Sequence, residues 1–130
     1  MLSFTIQISG EIHSSKNSRQ IFRNNKTGRP FVAKSKASKE DEQSFAIQLA
    51  TQKPAWEVFS KDIQYPILAT FNFRRSTSRK FDYVNLAQGL LDALVKSGYI
   101  PDDNADCVIP SFMPYTVNKG DCGCDIVVNA

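Results

Sequence analysis

One stretch limits the possible folds more than any other: DYVNLAQGLLDALVKSG, residues 82–98. Leu86, Leu90 and Leu94 share one face, joined by Leu91 and Val95, which is the pattern of an amphipathic helix. Gly98 is a natural left-handed stop for it. Upstream, PILATFNF puts Ile67, Ala69, Phe71 and Phe73 on alternate positions, the period of a strand. Downstream, CVIPSF and DIVVNA read as two further strands, and Pro110 makes the first of them short or an edge.

The first half of the chain follows the same logic. Residues 2–9 alternate Phe4, Ile6 and Ile8 with polar neighbours, a half-buried strand. GEIHSSKNSR is a polar loop, and QIFRNNKTGRPFVAK predicts two short strands around an Asn-Asn-Lys-Thr-Gly turn. A helix is expected from about Ser38, a good cap, with Glu40, Asp41 and Glu42 suited to the helix dipole. Phe45, Ala46, Leu49 and Ala50 form its apolar stripe, and Pro54 marks its expected end. No internal repeat or linker divides the 130 residues. The expectation is one α+β domain, 1–130, with a small mixed sheet and two main helices.

Several classes are set aside by composition. No apolar run approaches the roughly 18 residues that span a bilayer. The start, MLSFTIQISG, alternates instead of giving a basic and then apolar leader, so an intracellular, cytoplasmic protein is expected. Three cysteines, Cys107, Cys122 and Cys124, argue against a disulfide framework. Cys122 and Cys124 are spaced CxC, and the single histidine, His13, is remote in sequence, which is a poor zinc set. These cysteines are read as small residues near the last strand. No Walker loop, GxSxG or HExxH is present.

Net charge is only +3, but it is unevenly spread. Lys16, Arg19, Arg23, Lys26, Arg29, Lys34, Lys36 and Lys39 stand against Glu11 alone in the first 39 residues. Arg74, Arg75, Arg79 and Lys80 form a second basic cluster. From Phe81 to Asp106 the sign reverses: Asp82, Asp92, Asp102, Asp103 and Asp106 oppose Lys96. Basic segments suit a polyanion, because neutralising phosphates releases counterions. Carboxylates set beside them suit a hard metal ion. A solvated surface with uneven charge is the plain alternative.

Asp82 stands at the start of the 82–98 helix and Asp102-Asp103 just beyond its end. A helix of roughly 13 residues spans about 20 Å. The carboxylates therefore meet only if residues 98–103 fold back or a neighbouring strand carries them there. Each also has a simpler use: Asp82 as a helix cap, Asp102-Asp103 as a solvated turn.

The segment FDYVNLAQGLLDALVKSGYIPDDNADCVIP resembles the RusA family of Holliday-junction resolvases. Asp82 and Asn85 match the first and last positions of that family's Asp-x-Asp-Asn signature. LDAL at 91–94 matches its later helix, and Asp102-Asp103 its acidic pair after a Gly-aromatic stretch. The loop SSKNSR resembles the family's Ser/Asn/Arg loop after the first strand. Two positions depart: Val84 stands where the second aspartate would be, and Gln88 where a lysine would be. The resemblance implies a homodimeric, magnesium-dependent endonuclease that resolves four-way and other branched DNA. Mn²⁺ is a possible substitute. Asp82, Asp103 and Gln88 would be the catalytic positions. Asp82, Asp103, Asp102 and Asn85 would be the metal ligands. Lys16, Asn17, Arg19, Arg74, Arg75, Arg79 and Lys80 would grip DNA. Val84 and Gln88 favour a second expectation, a DNA-binding protein on the same fold that has lost catalysis. A protein-interaction module is a third.

Overall fold

The computed structural model describes residues 2–14, 19–34 and 36–130; for residues 19–23 and 31–34 it describes the backbone alone. The elements run β1 (Ser3–Ser9), β2 (Arg19–Arg23), β3 (Pro30–Lys34), α1 (Lys36–Ser60), β4 (Ile67–Arg75), α2 (Tyr83–Lys96), β5 (Val108–Phe112), β6 (Thr116–Val117) and β7 (Gly123–Asn129). Among the described residues this is an α+β fold with two helices and a mixed sheet of five strands.

The sheet order is β1-β7-β4-β5, with β6 paired to the end of β4; β2 and β3 make a separate two-stranded sheet. β4 and β5 are parallel, with Leu68 opposite Ile109, while β7 is antiparallel to both β1 and β4. A parallel pair needs a crossover, and α2 supplies it. Pro110 is on an edge strand, where a missing N–H is tolerated.

The core lies on one face of the sheet. Ile6 and Ile8 of β1, Ile67, Ala69, Phe71 and Phe73 of β4, and Cys124, Ile126 and Val128 of β7 are all buried. Leu86, Leu90 and Leu94 of α2 cover them, as the leucine spacing predicts. Burial pushes the Cys124 thiol up to about 12, so it is a small apolar filler of the core, while Cys107 and Cys122 are half-buried.

α1 departs from expectation at both ends. It begins at Lys36, two residues before Ser38, so Ser38 is a buried residue inside the helix and not its cap. It also passes through Pro54 and continues to Ser60. A proline removes one helical hydrogen bond, but side chains around it fasten the distal half. Trp56 is buried and donates its Nε1 to the Tyr99 carbonyl at 3.0 Å. Lys53 Nζ donates to the Ser97 carbonyl at 2.6 Å. Phe45, Leu49 and Trp56 are the buried stripe; Ala46 and Ala50, expected in it, are exposed.

α1 also closes the free edge of β1. Gln52 accepts from the Gln7 N–H at 2.8 Å and donates to the Gln7 carbonyl at 2.7 Å. Gln48 does the same to Ser9, at 2.7 and 3.0 Å. Four helical residues rise about 6 Å and two strand residues about 6.7 Å. Glutamines four apart thus match alternate strand residues, and at Gln7 and Ser9 the edge offers no unpaired groups to another chain.

α2 ends as Gly98 predicts. Gly98 has φ +74°. Its N–H reaches the Val95 carbonyl at 3.1 Å, and the Tyr99 N–H reaches Leu94 at 2.8 Å, the paired bonds of a Schellman motif. A Cβ at Gly98 would meet Lys53 Nζ at 2.9 Å. Gly98→Ala is therefore expected to cost about 1–2 kcal/mol, for an L-residue in a left-handed conformation, with further destabilisation if Lys53 leaves Ser97. Urea denaturation measures this; an unchanged midpoint would show that the motif does not hold the segment after α2. Among the described residues no helix is long and apolar enough to cross a membrane.

Candidate functional site

The start of α2 is fixed by aromatic rings. Phe81 packs edge-on against Tyr83 and Tyr115, with centroids 5.1 and 4.9 Å apart, and Arg75 lies over its face at 4.4 Å. The Tyr83 hydroxyl accepts the Tyr115 N–H at 2.9 Å. Asp82 thus stands on a braced turn. It occupies the N-cap position, yet its carboxylate makes no capping bond. Oδ2 instead accepts from Asn85 Nδ2 at 3.2 Å.

The segment after α2 does fold back. Tyr99 and Ile100 are buried. Trp56 holds the Tyr99 carbonyl, and the Tyr99 hydroxyl donates to the Leu49 carbonyl. The chain then returns along α2, so that Gln88 Nε2 donates to Asp103 Oδ2 at 3.3 Å and to Asp92 Oδ1 at 3.0 Å. Asp103 is thereby placed at the second turn of α2. Six helical residues rise about 9 Å, so the gap from Asp82 is far shorter than the length of the helix. Asp102 has a different use. Its Oδ1 accepts the Asp103 N–H at 2.7 Å and its Oδ2 accepts from Asn104 Nδ2 at 3.2 Å, which shapes the loop. Val84, in the first turn of α2, is 65% exposed.

The second basic cluster is divided. Arg74 and Arg75 are the last residues of β4 and are half-buried. Arg74 Nη1 pairs with Asp125 Oδ1 at 3.0 Å, and its Nε donates to the Asp121 carbonyl at 3.0 Å. Arg79 and Lys80 are exposed in the loop before α2. Lys16 and Asn17 lie outside the described residues, and Arg19 begins the β2–β3 hairpin with its backbone alone described. Lys26 and Arg29 are exposed at that hairpin's turn.

A cavity of about 180 Å³ opens beside Asp82 and is lined also by Lys80, Arg75, Glu11 and His13. Arg75 Nε faces Glu11 Oε1 at 3.8 Å, within ion-pair reach but too long for a hydrogen bond. Arg75 Nε and Glu11 Oε2 are both buried without a hydrogen-bond partner. Such atoms cost about 1–3 kcal/mol each when unsatisfied, and here the charge of each is met by the other across the ion pair.

His13 and Glu11 have no distinguishing signal in the sequence. His13 lines a second, larger cavity too, about 350 Å³, between the start of α1 and the Gln88–Asp92 face of α2. Its ring is held by Asp41 of α1, with Nδ1 3.1 and 3.2 Å from the two carboxylate oxygens, and its backbone N–H donates to Asp41 Oδ2 at 2.7 Å.

Among the described residues, no three His, Cys, Asp or Glu side chains gather as a protein-only metal cage. Asp82, Asp103 and the Asn85 amide oxygen are the donors that could hold a hard cation, and only if water and substrate phosphate completed its shell. No protein-family model matches the sequence, and no curated protein matches it.

Proposed function

We propose that the protein is a RusA-like, metal-dependent endonuclease of branched DNA. The observation that carries this is the fold-back that sets Asp103 against Gln88, on the helix that Asp82 opens, with Arg75 and Lys80 lining the cavity beside Asp82. A phosphodiester has the charge that suits those two cations. In this reading Asp82 and Asp103 hold Mg²⁺ or Mn²⁺, with Asn85 as a further oxygen donor. The bound cation supplies charge stabilisation at the scissile phosphate. Arg75 adds positive charge beside the phosphate while it stays paired with Glu11. Arg79 and Lys80 hold the flanking backbone, joined by the basic residues of the β2–β3 hairpin and by Lys16, Asn17 and Arg19. Gln88 positions Asp103 through its amide. The protein acts inside the cell as a homodimer, since a four-way junction presents two equivalent strands to a two-fold assembly.

A second reading is a DNA-binding protein on this fold without catalysis. Gln88 favours it, because its amide is engaged by two carboxylates and brings no charge to a phosphate.

The test is a synthetic four-way junction with Mg²⁺ or Mn²⁺. Wild type is expected to bind and cleave it, and Asp82→Asn to bind without cleaving. Arg79→Ala with Lys80→Ala should lower the salt slope of binding by about 2, since each phosphate that a cation neutralises contributes about 0.9. Binding without cleavage by wild type would establish the second reading. No binding would end both.

A further inference from the structure

We infer that His13, oriented by Asp41, is the general base of the proposed hydrolysis; this rests on the nuclease reading above. The tautomer of the ring is the starting point. Both Asp41 carboxylate oxygens lie within hydrogen-bond reach of Nδ1. An ionised carboxylate is acceptor-only, so Nδ1 carries the proton and donates it. In the neutral imidazole, Nε2 is then left with its lone pair, able to accept a proton.

The ring is also well placed. Among the described residues, His13 is the one that lines both cavities. One of them holds Asp82, Arg75 and Lys80. The other holds Gln88, which carries Asp103. Asp41 binds the backbone N–H of His13 as well as Nδ1. That fixes the loop before β2 to α1 and holds the imidazole by two separate attachments. A histidine base oriented by a carboxylate is the pattern that makes imidazole effective in proton transfer. Asp41 is the positioning residue.

In the hydrolytic step a water oxygen attacks phosphorus and forms the new P–O bond. The water proton passes to His13 Nε2. The bridging P–O bond breaks, and the leaving oxygen takes a proton from solvent. The imidazolium then returns its proton to solvent, with Asp41 opposite its Nδ1–H throughout.

Because His13 is the chain's single histidine, its ring can be observed without assignment ambiguity. Long-range ¹H–¹⁵N NMR on the whole protein should show the Nδ1–H tautomer in the neutral ring. The Nε2–H tautomer would overturn the proposal before any activity is measured. Single-turnover cleavage of the four-way junction is then compared for wild type, His13→Ala, Asp41→Asn and Asp82→Asn. His13→Ala should cleave about 100-fold slower or worse with junction affinity within about twofold, and added imidazole should restore part of the rate. The backbone bond to Asp41 survives this substitution, so folding is expected to be retained. Asp41→Asn should fall between wild type and His13→Ala. If Asp82→Asn abolishes cleavage while His13→Ala stays within about threefold of wild type, the base assignment falls and the nuclease reading stands. If His13→Ala is slow and imidazole restores nothing, the residue is structural and the assignment falls. If wild type binds the junction without cutting it, both fall.

Discussion

Trp56→Ala is expected to destabilise the protein by about 3–5 kcal/mol, the range for removing a large buried aromatic. Trp56 is 1% exposed. It stacks on Tyr99 with centroids 5.3 Å apart, meets Phe4 edge-on at 5.5 Å and lies 5.6 Å from Phe59. Its Nε1 also satisfies the Tyr99 carbonyl. Removal therefore opens a cavity and leaves a backbone acceptor without its donor, two costs that add. Trp56→Phe separates them: it keeps much of the packing and loses the hydrogen bond, and should cost less than half as much. Urea denaturation gives both values, with far-UV circular dichroism as the probe because the only tryptophan is the residue removed. A destabilisation under about 1 kcal/mol for Trp56→Ala would contradict its position in the core. The effect should also reach the candidate site. Tyr99 anchors the chain that returns Asp103 to Gln88, so amide exchange across residues 99–103 should quicken in Trp56→Phe even where the fold persists.

The elements legible in the sequence are those whose burial has one period. α2 is one: its leucines face a single sheet, and its end is written by one glycine. β4 is another, with four alternate apolar residues. α1 outruns the stop expected at Pro54 because the rule that proline ends a helix is local, and what overrides it is distant. Trp56 and Lys53 are held by Tyr99 and Ser97, more than forty residues away. Arg74 and Arg75 fall in sequence within the second basic cluster, beyond the apolar alternation, yet they end β4. Acceptors from β7 and its preceding loop, and from the segment after β1, meet them there.

The candidate site divides along the same line. Asp82, Asn85, Gln88 and Asp103 are recognisable because they lie on or beside one helix, where spacing in sequence is spacing in space. The return of Asp103 is a geometric question that sequence leaves open, and Gly98 and the Trp56–Tyr99 contact answer it. His13 and Asp41 are 28 positions apart, on a loop and on a helix that starts earlier than its apparent cap. No periodicity links them. The sequence gives Asp41 a place near the helix dipole; a helix starting at Lys36 puts it beyond the first turn, free to meet His13.

Val84→Asp with Gln88→Lys should raise single-turnover cleavage of a four-way junction by at least about tenfold, since a tenfold change needs only about 1.4 kcal/mol of transition-state stabilisation. Val84 is exposed in the first turn of α2, so a carboxylate there fits the helix dipole and should not destabilise the fold. It adds a carboxylate one turn from Gln88 and two residues from Asp82. The substitution at position 88 puts an ammonium where an amide now bonds Asp92 and Asp103. Those carboxylates gain a charged partner in place of a neutral one, and the ammonium can stabilise the phosphate as its negative charge grows. The two changes belong together. A third carboxylate alone would add negative charge beside a phosphate, and the lysine alone would give no metal ligand. Asp103→Asn in the double-variant background is the decisive control, because it removes the carboxylate that the fold-back of residues 98–103 brings to Gln88. It should return cleavage to background with junction affinity retained. Should the double variant fold and bind the junction but leave cleavage at background, then Asp82 and Asp103 do not act on one phosphate. The stripe along α2 would then be a set of surface hydrogen bonds, and the DNA-binding reading would replace the nuclease.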